Sequence, residues 1–552
     1  MVRTVNRCNN AMGRAAGSLL LALVLASCSK AGPSAEIPCF CEDDVPVDSW
    51  METDDGANRD IPLADDAPSM PDAAPDLPGD TLDPGAPDDG PPPPLWDDLV
   101  GTGEPVGNIV GVASHMNTAE GANPLRDFEF DQYVDFQGFK IRRGLRWSNV
   151  QPDRDTWRFD KVTAAVTGAQ EHNVRLLPLL AYGNDWAQDD PDAYGTLHVA
   201  DYAAYAGRMA TEFCATIKDY ELWNEENITR FWDLPPDPAM YADMVIASAV
   251  AIRAACPDAR VVFGGMSSYD DVDLFNTWGY LRLALAARPE LCASFDALAL
   301  HPYTWFQFDP PEHDAQVSFD VTKPSQTRMT TIAREILAAA GCAQKPILFT
   351  EVGWPSYELS EDKVAQYAAR SLLLSARDGV EGWYWYTFWD DAPDASGIRP
   401  HENYFGLWGW PGADDSVRRP KPAWNAVKTA GMLLRGYRFA RDLGTALGLP
   451  NDVYVLAFVD DAGRIALALW DGRETPDITL DGDEAGGPDT TYALALPLPA
   501  CTTATHLVDM NGEPQAALPA GPTASLLLTP QVQYLTVDCD PAPPAARRPS
   551  GK

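Results

Sequence analysis

The sequence predicts a (β/α)8 barrel followed by a small antiparallel β-sandwich, the whole preceded by a disordered, acidic, Pro-rich tether. Three observations lead there. Short apolar strand patterns alternate with helical patterns at intervals of about forty residues. From about residue 442 the helical patterns stop, and short strands follow one another between Asp, Gly and Pro. Ahead of both, residues 42–98 hold 18 acidic residues and one basic residue, Arg59.

The barrel strands are expected at 109–113, 139–142, 175–180, 220–223, 260–264, 297–301, 347–351 and 382–386. Helical patterns lie between them at 160–171, 200–217, 239–255, 281–288, 329–340 and 360–376. Eight such units over about 330 residues match a closed barrel. An open doubly wound sheet is the alternative, weakened because no glycine-rich phosphate loop follows the first strand. The sandwich strands are expected at 454–459, 465–470, 491–496, 505–508, 524–528 and 533–537. The implied domains are a signal at 1–27, a linker at 28–98, a barrel at 99–438, a sandwich at 439–540 and a disordered tail at 541–552.

The N-terminus has the pattern of an export signal. Arg3, Arg7 and Arg14 precede a short apolar stretch at 19–25. Leu25-Ala26-Ser27-Cys28 then resembles a bacterial lipobox, so Cys28 is the expected lipidation site. This implies a lipid anchor at the cell envelope, with the acidic segment as an extended, self-repelling spacer. The net charge of −39 argues against nucleic acid as a partner. The cysteines fit an oxidising compartment. Cys214, Cys256, Cys292 and Cys342 each precede a barrel strand, at the end away from strand C-termini. The expected disulfides are Cys214–Cys256, Cys292–Cys342 and, in the sandwich, Cys501–Cys539. Cys39 and Cys41 remain unassigned. No cysteine spacing resembles a zinc site.

In a barrel, reactive side chains project from the C-terminal ends of the strands. The fourth strand ends Tyr220-Glu221-Leu222-Trp223-Asn224-Glu225, and the seventh ends Ile347-Leu348-Phe349-Thr350-Glu351. Glu225 and Glu351 are 126 positions apart, three repeats of about 42, as the fourth and seventh strands require. Two carboxyls over one barrel mouth suit glycosidic cleavage, one giving a proton to the leaving oxygen and the other attacking the anomeric carbon.

These stretches resemble the clan A glycoside hydrolases, most of all family 39 and related bacterial exopolysaccharide-cleaving enzymes. Trp223-Asn224-Glu225-Glu226-Asn227 and Thr350-Glu351-Val352-Gly353-Trp354-Pro355 carry the likeness. His301-Pro302-Tyr303, the second-strand Arg142-Arg143 and Asn403-Tyr404-Phe405-Gly406-Leu407 add to it. The resemblance covers about residues 105 to 435. It implies a retaining hydrolase with Glu225 as acid/base and Glu351 as nucleophile. Glu226 departs from the pattern, which has Pro there; it adds a charge and stands as an alternative proton donor. Arg142 is expected beside Glu351, with Arg143 as the alternative if the strand phase slips by one. Tyr303 is expected to donate to Glu351, Asn224 to bond a sugar hydroxyl, and His301 and His115 to line the substrate site. Trp385 or Trp389 is expected as a sugar-stacking platform. The expected substrate is a polysaccharide or oligosaccharide, with no metal, no cofactor and a monomeric chain. A non-catalytic sugar-binding protein and a transglycosidase are the competing readings.

Overall fold

The computed structural model describes residues 95–115, 124–136, 138–190, 194–232, 235–268, 277–304, 309–318, 321–357, 359–393, 400–412, 416–473, 490–519 and 521–539. The export signal, Cys28, Cys39, Cys41, most of the acidic segment and the tail from 541 lie outside the described residues.

Eight parallel strands close a barrel. They are β1 (Val110–Ala113), β2 (Lys140–Arg146), β3 (Arg175–Ala181), β4 (Asp219–Leu222), β5 (Arg260–Ser267), β6 (Ala297–His301), β7 (Ile347–Val352) and β8 (Gly382–Tyr386). Each pairs with its sequence neighbours, and β1 pairs with β8 to complete the ring. All eight coincide with an expected strand; the ends differ by up to four residues, most at β2, which runs on to Arg146. Inward-facing Leu177, Val262, Ala297, Ala299, Leu348 and Tyr384 fill the barrel interior. Outward-facing residues of the same strands pack against the helices, because successive side chains of a strand point to opposite faces. Helices Asp160–Glu171, Val199–Phe213, Pro238–Ala255, Gln326–Ala339 and Glu361–Arg377 occupy the expected places. Asp237, Ser325 and Ser360 cap three of them by accepting from first-turn backbone N–H groups. Helices Pro124–Tyr133 and Pro422–Leu433 were not anticipated.

Seven strands follow: β9 (Arg438–Asp442), β10 (Val453–Val459), β11 (Ile465–Asp471), β12 (Tyr492–Pro497), β13 (Thr502–Val508), β14 (Thr523–Leu528) and β15 (Gln533–Cys539). Five form one antiparallel sheet in the order β9-β10-β11-β15-β13, and β12 pairs with β14. The two sheets share a core of Val455, Leu467, Leu469 and Leu535 from one and Leu494, Leu496, Leu526 and Leu528 from the other. Leu95, Trp96 and Leu99 pack against this core, so the expected spacer up to residue 98 gives way to packed chain by Leu95.

The sandwich hydrogen-bonds to a buried ion pair of the barrel. Arg370, on helix Glu361–Arg377, lies 2.7 Å from Glu312, and both side chains are fully buried. Trp470 of β11 donates its indole N–H to the same carboxylate at 2.9 Å. Arg370 also donates to the Pro530 carbonyl. At the opposite end from the strand C-termini, Cys214–Cys256 and Cys292–Cys342 bridge adjacent barrel units with Cα separations of 5.4 and 5.7 Å. Cys501–Cys539 closes the sandwich at 4.9 Å. All three pairings agree with those expected.

Candidate active site

The chain after β4 turns sharply. Trp223 and Glu225 both take left-handed backbone, with φ of 72° and 47°. For residues with a Cβ that costs on the order of 1–2 kcal/mol each, so the surroundings must hold it. They do so through four hydrogen bonds. The Glu225 N–H donates to the Gly265 carbonyl at 3.1 Å. The Trp223 indole donates to the Phe231 carbonyl. Asn227 exchanges two bonds with the backbone of Ser267, both 2.9 Å, fastening the turn to the end of β5. The turn thereby aims the Glu225 carboxyl into the barrel mouth and sends that of Glu226 the other way.

Glu225 meets Glu351 there. One carboxyl oxygen of each and Nδ1 of His301 all lie within 4.8 Å of one another. His301 Nδ1 is 3.0 Å from Glu225 and 3.6 Å from Glu351. Both carboxyls keep an opening to the cleft, 12% and 13% exposed. Burial raises Glu225 to about 7, against the lowering effects of Ser267, Arg230 and Arg142. His301 is fully buried, and burial lowers it to about 3, so its ring is neutral.

Glu351 sits in different company. Arg142 contacts its Oε1, and the Tyr303 hydroxyl donates to its Oε2 at 3.1 Å. The same guanidinium donates to Glu221 at 2.6 and 3.2 Å and to the Asn224 side-chain oxygen at 2.9 Å. Arg142 is therefore locked between three acceptors, and the carboxylates around it raise its pKa despite burial. Arg143 faces outward, is buried, and is drawn to the charge of Glu129. The strand phase thus selects Arg142.

Two residues in this network escaped the sequence reading. Glu221 is wholly buried inside β4, where its carboxyl grips Arg142. Its signal was an acidic residue set between the buried Tyr220 and Leu222 of a parallel strand. Gly265 makes room for the cluster: a Cβ there would lie 2.8 Å from both Glu221 and His301 Nε2.

Three expectations need correction. Trp385 points outward from β8, fully buried against Trp354 and Trp383, and donates to the Phe405 carbonyl. Trp389 is wedged among Phe128, Phe388 and Trp408 beneath Arg418. Alternation along β8 instead turns Tyr386 toward the mouth, half-buried. His115 meets it edge-on at 5.3 Å and is exposed. Glu226 is fully buried behind the site, 2.8 Å from where a Gly264 Cβ would stand, so it is no alternative proton donor to a sugar in the cleft. Burial raises it to about 8.

The three donors at the centre are spaced as ligands of a cation would be, but the Arg142 guanidinium already holds Glu351. Cys214 and Cys256 also lie near Asp258, but their sulfurs are joined in a disulfide.

No protein-family model and no curated protein sequence matches the chain. Solved structures do. A family 39 glycoside hydrolase from Bacteroides cellulosilyticus WH2 superposes with a TM-score of 0.60 at 21% identity, covering 79% of this chain and 81% of that one. The chain has the fold of a glycoside hydrolase. A monomeric β-xylosidase from Caulobacter crescentus CB15 gives 0.56 at 13% identity, over 80% and 98%. A family 30 endoxylanase from Clostridium papyrosolvens C71 gives 0.52 at 12%, over 80% and 98%. The shared span includes far more than the barrel, since 80% of 552 residues exceeds the length from β1 to β8.

Proposed function

We propose that the chain is a retaining glycoside hydrolase acting on a β-linked glycan. One observation carries the reading: two carboxyls from opposite sides of the barrel mouth approach within 4.8 Å. Retaining enzymes hold their pair about 5 to 5.5 Å apart, whereas inverting enzymes need about 6.5 Å or more for a water. The surroundings divide the roles. Glu225, raised to about 7, holds a proton below that value and suits a general acid. Glu351, held by the Arg142 guanidinium and the Tyr303 hydroxyl, is placed as the nucleophile. In the first step Glu351 bonds to the anomeric carbon while the C–O bond to the leaving group breaks and Glu225 protonates the departing oxygen. In the second, water attacks the same carbon, Glu225 takes its proton, and Glu351 is released. Neutral His301, touching both carboxyls, keeps them aligned without adding charge. With its oxygen held by Arg142, Asn224 has its NH2 left to donate to a sugar hydroxyl. Tyr386 and His115 supply an aromatic wall in place of the expected Trp. The β-xylosidase and endoxylanase among the solved neighbours support a β-linked substrate.

Export as a lipid-anchored envelope protein belongs to the same proposal. Its supports are the Arg-rich start, the apolar stretch ending at Cys28 and three disulfides suited to an oxidising compartment.

The test is Glu351→Ala with and without azide. Turnover is expected to fall by about 10³-fold or more, and azide is expected to restore it by forming a glycosyl azide. An unmodified protein that binds glycans but releases no product from any would make it a binding protein instead. Transfer of the glycosyl group to a sugar acceptor in preference to water would make it a transglycosidase.

A further inference from the structure

One cation at the cleft wall has no part in the chemistry above. Alternation along β2 places Arg142, Gly144 and Arg146 on the face that looks into the barrel mouth. Arg142 is fully engaged. Gly144 is exposed, and a Cβ built on it would meet nothing within 4 Å, so the strand leaves open space above Arg142. Arg146 stands beyond that space, half-buried, its guanidinium 5.9 Å from the centre of the Tyr182 ring. Tyr182, at the end of β3, feels the charges of Glu351 and Glu225, which puts this wall beside the catalytic pair.

Among the described residues Arg146 has no carboxylate partner and no side-chain hydrogen bond. That is unusual company in a chain with 80 acidic and 41 basic residues. A partly desolvated guanidinium without a counter-ion is costly, and its planar fork fits a carboxylate or another oxyanion. A second guanidinium continues the wall. The Tyr182 and Phe231 rings stack at 5.8 Å, and Arg230 lies 5.2 Å from the far ring, with Glu402 at 4.0 Å as its only ion-pair partner among the described residues.

We propose that Arg146 recognises an anionic substituent, a uronate carboxylate or a sulfate ester, on the sugar that lies over Gly144 against Tyr182. Arg230 extends the same positive wall outward. The inference rests on the glycosidase reading and adds to it the charge class of the substrate.

The experiment compares neutral, uronate-containing and sulfated oligosaccharides of equal length. Turnover is measured on the full chain, and binding by calorimetry on the chain carrying Glu225→Gln, so that affinity is read without cleavage. Acidic oligosaccharides are expected to be preferred, with the preferred arm identifying the substituent. Arg146→Gln is expected to lower the acidic-to-neutral ratio of kcat/KM by about 10- to 100-fold. Arg146→Lys keeps the charge without the fork and is expected to lower it by only about 3- to 10-fold; this second variant also serves if the first does not fold. Equal use of neutral and acidic glycans by the unmodified protein, or a ratio untouched by either variant, would overturn the inference and leave the hydrolase reading intact. Arg146-dependent binding of acidic glycans with no cleavage of any would do the reverse.

Discussion

Glu225 and Glu226 are neighbours with identical side chains, and a single left-handed turn gives them opposite surroundings. Glu225 opens to the cleft beside His301 and Glu351; Glu226 is sealed behind β5 against Gly264. Burial raises both carboxyls, so each favours its protonated form in the folded chain. For Glu225 the sign is set by its role. It must carry a proton to start the reaction, so activity is expected to be retained below about 7 and to decline as pH rises through that value. Profiles of kcat/KM between about pH 4 and 9 check this. Glu225→Gln should remove that alkaline limb and cost about 10²- to 10⁴-fold on glycosides with poor leaving groups. An unchanged limb in that variant would mean another group controls it. Glu225 and Glu351 were legible in the sequence because a strand end followed by Glu is a local pattern. Glu221 and Gly265 were not, since each matters through a contact across strands. Trp385 misled because aromatic residues alternate along β8, and only the barrel shows which of the two phases faces inward.

At the level of elements, the molecule separates fastening from chemistry. The strand C-termini hold the carboxyls, and the other end holds two disulfides. Cys214–Cys256 closes 42 residues and Cys292–Cys342 closes 50. Each is expected to contribute about 3–4 kcal/mol in the chain-entropy view. The double substitution Cys214→Ser/Cys256→Ser should lower the thermal midpoint by several degrees while leaving kcat at 25 °C unchanged. A fall in kcat with no change in midpoint would contradict this separation. Most strands of the barrel were readable because a buried parallel strand is an apolar run with polar ends; β2, which carries Arg142, Arg143 and Arg146, broke that pattern and its end was missed. Helices Pro124–Tyr133 and Pro422–Leu433 were not readable. The first interleaves its apolar residues with charged ones, and the second opens at Pro422 on a Pro-rich loop that obscures its start, although Ala423, Val427 and Ala430 keep a helical spacing.

At the scale of the whole chain, the Arg370–Glu312 pair decides how barrel and sandwich behave together. Removing one member of a buried pair leaves the other charge unmatched, typically at about 3–5 kcal/mol. Arg370→Ala is accordingly expected to lower the thermal midpoint and to loosen the barrel and the sandwich at once. Calorimetry should show one shifted transition; two separate ones would indicate that the halves fold independently. A gene shortened to end near residue 438 would strip Glu312 of its Trp470 donor and Arg370 of the Pro530 carbonyl. Anyone wishing to carve a minimal catalyst from this chain must therefore recut the seam itself, substituting greasy side chains for that acid and base before discarding the C-terminal fifth.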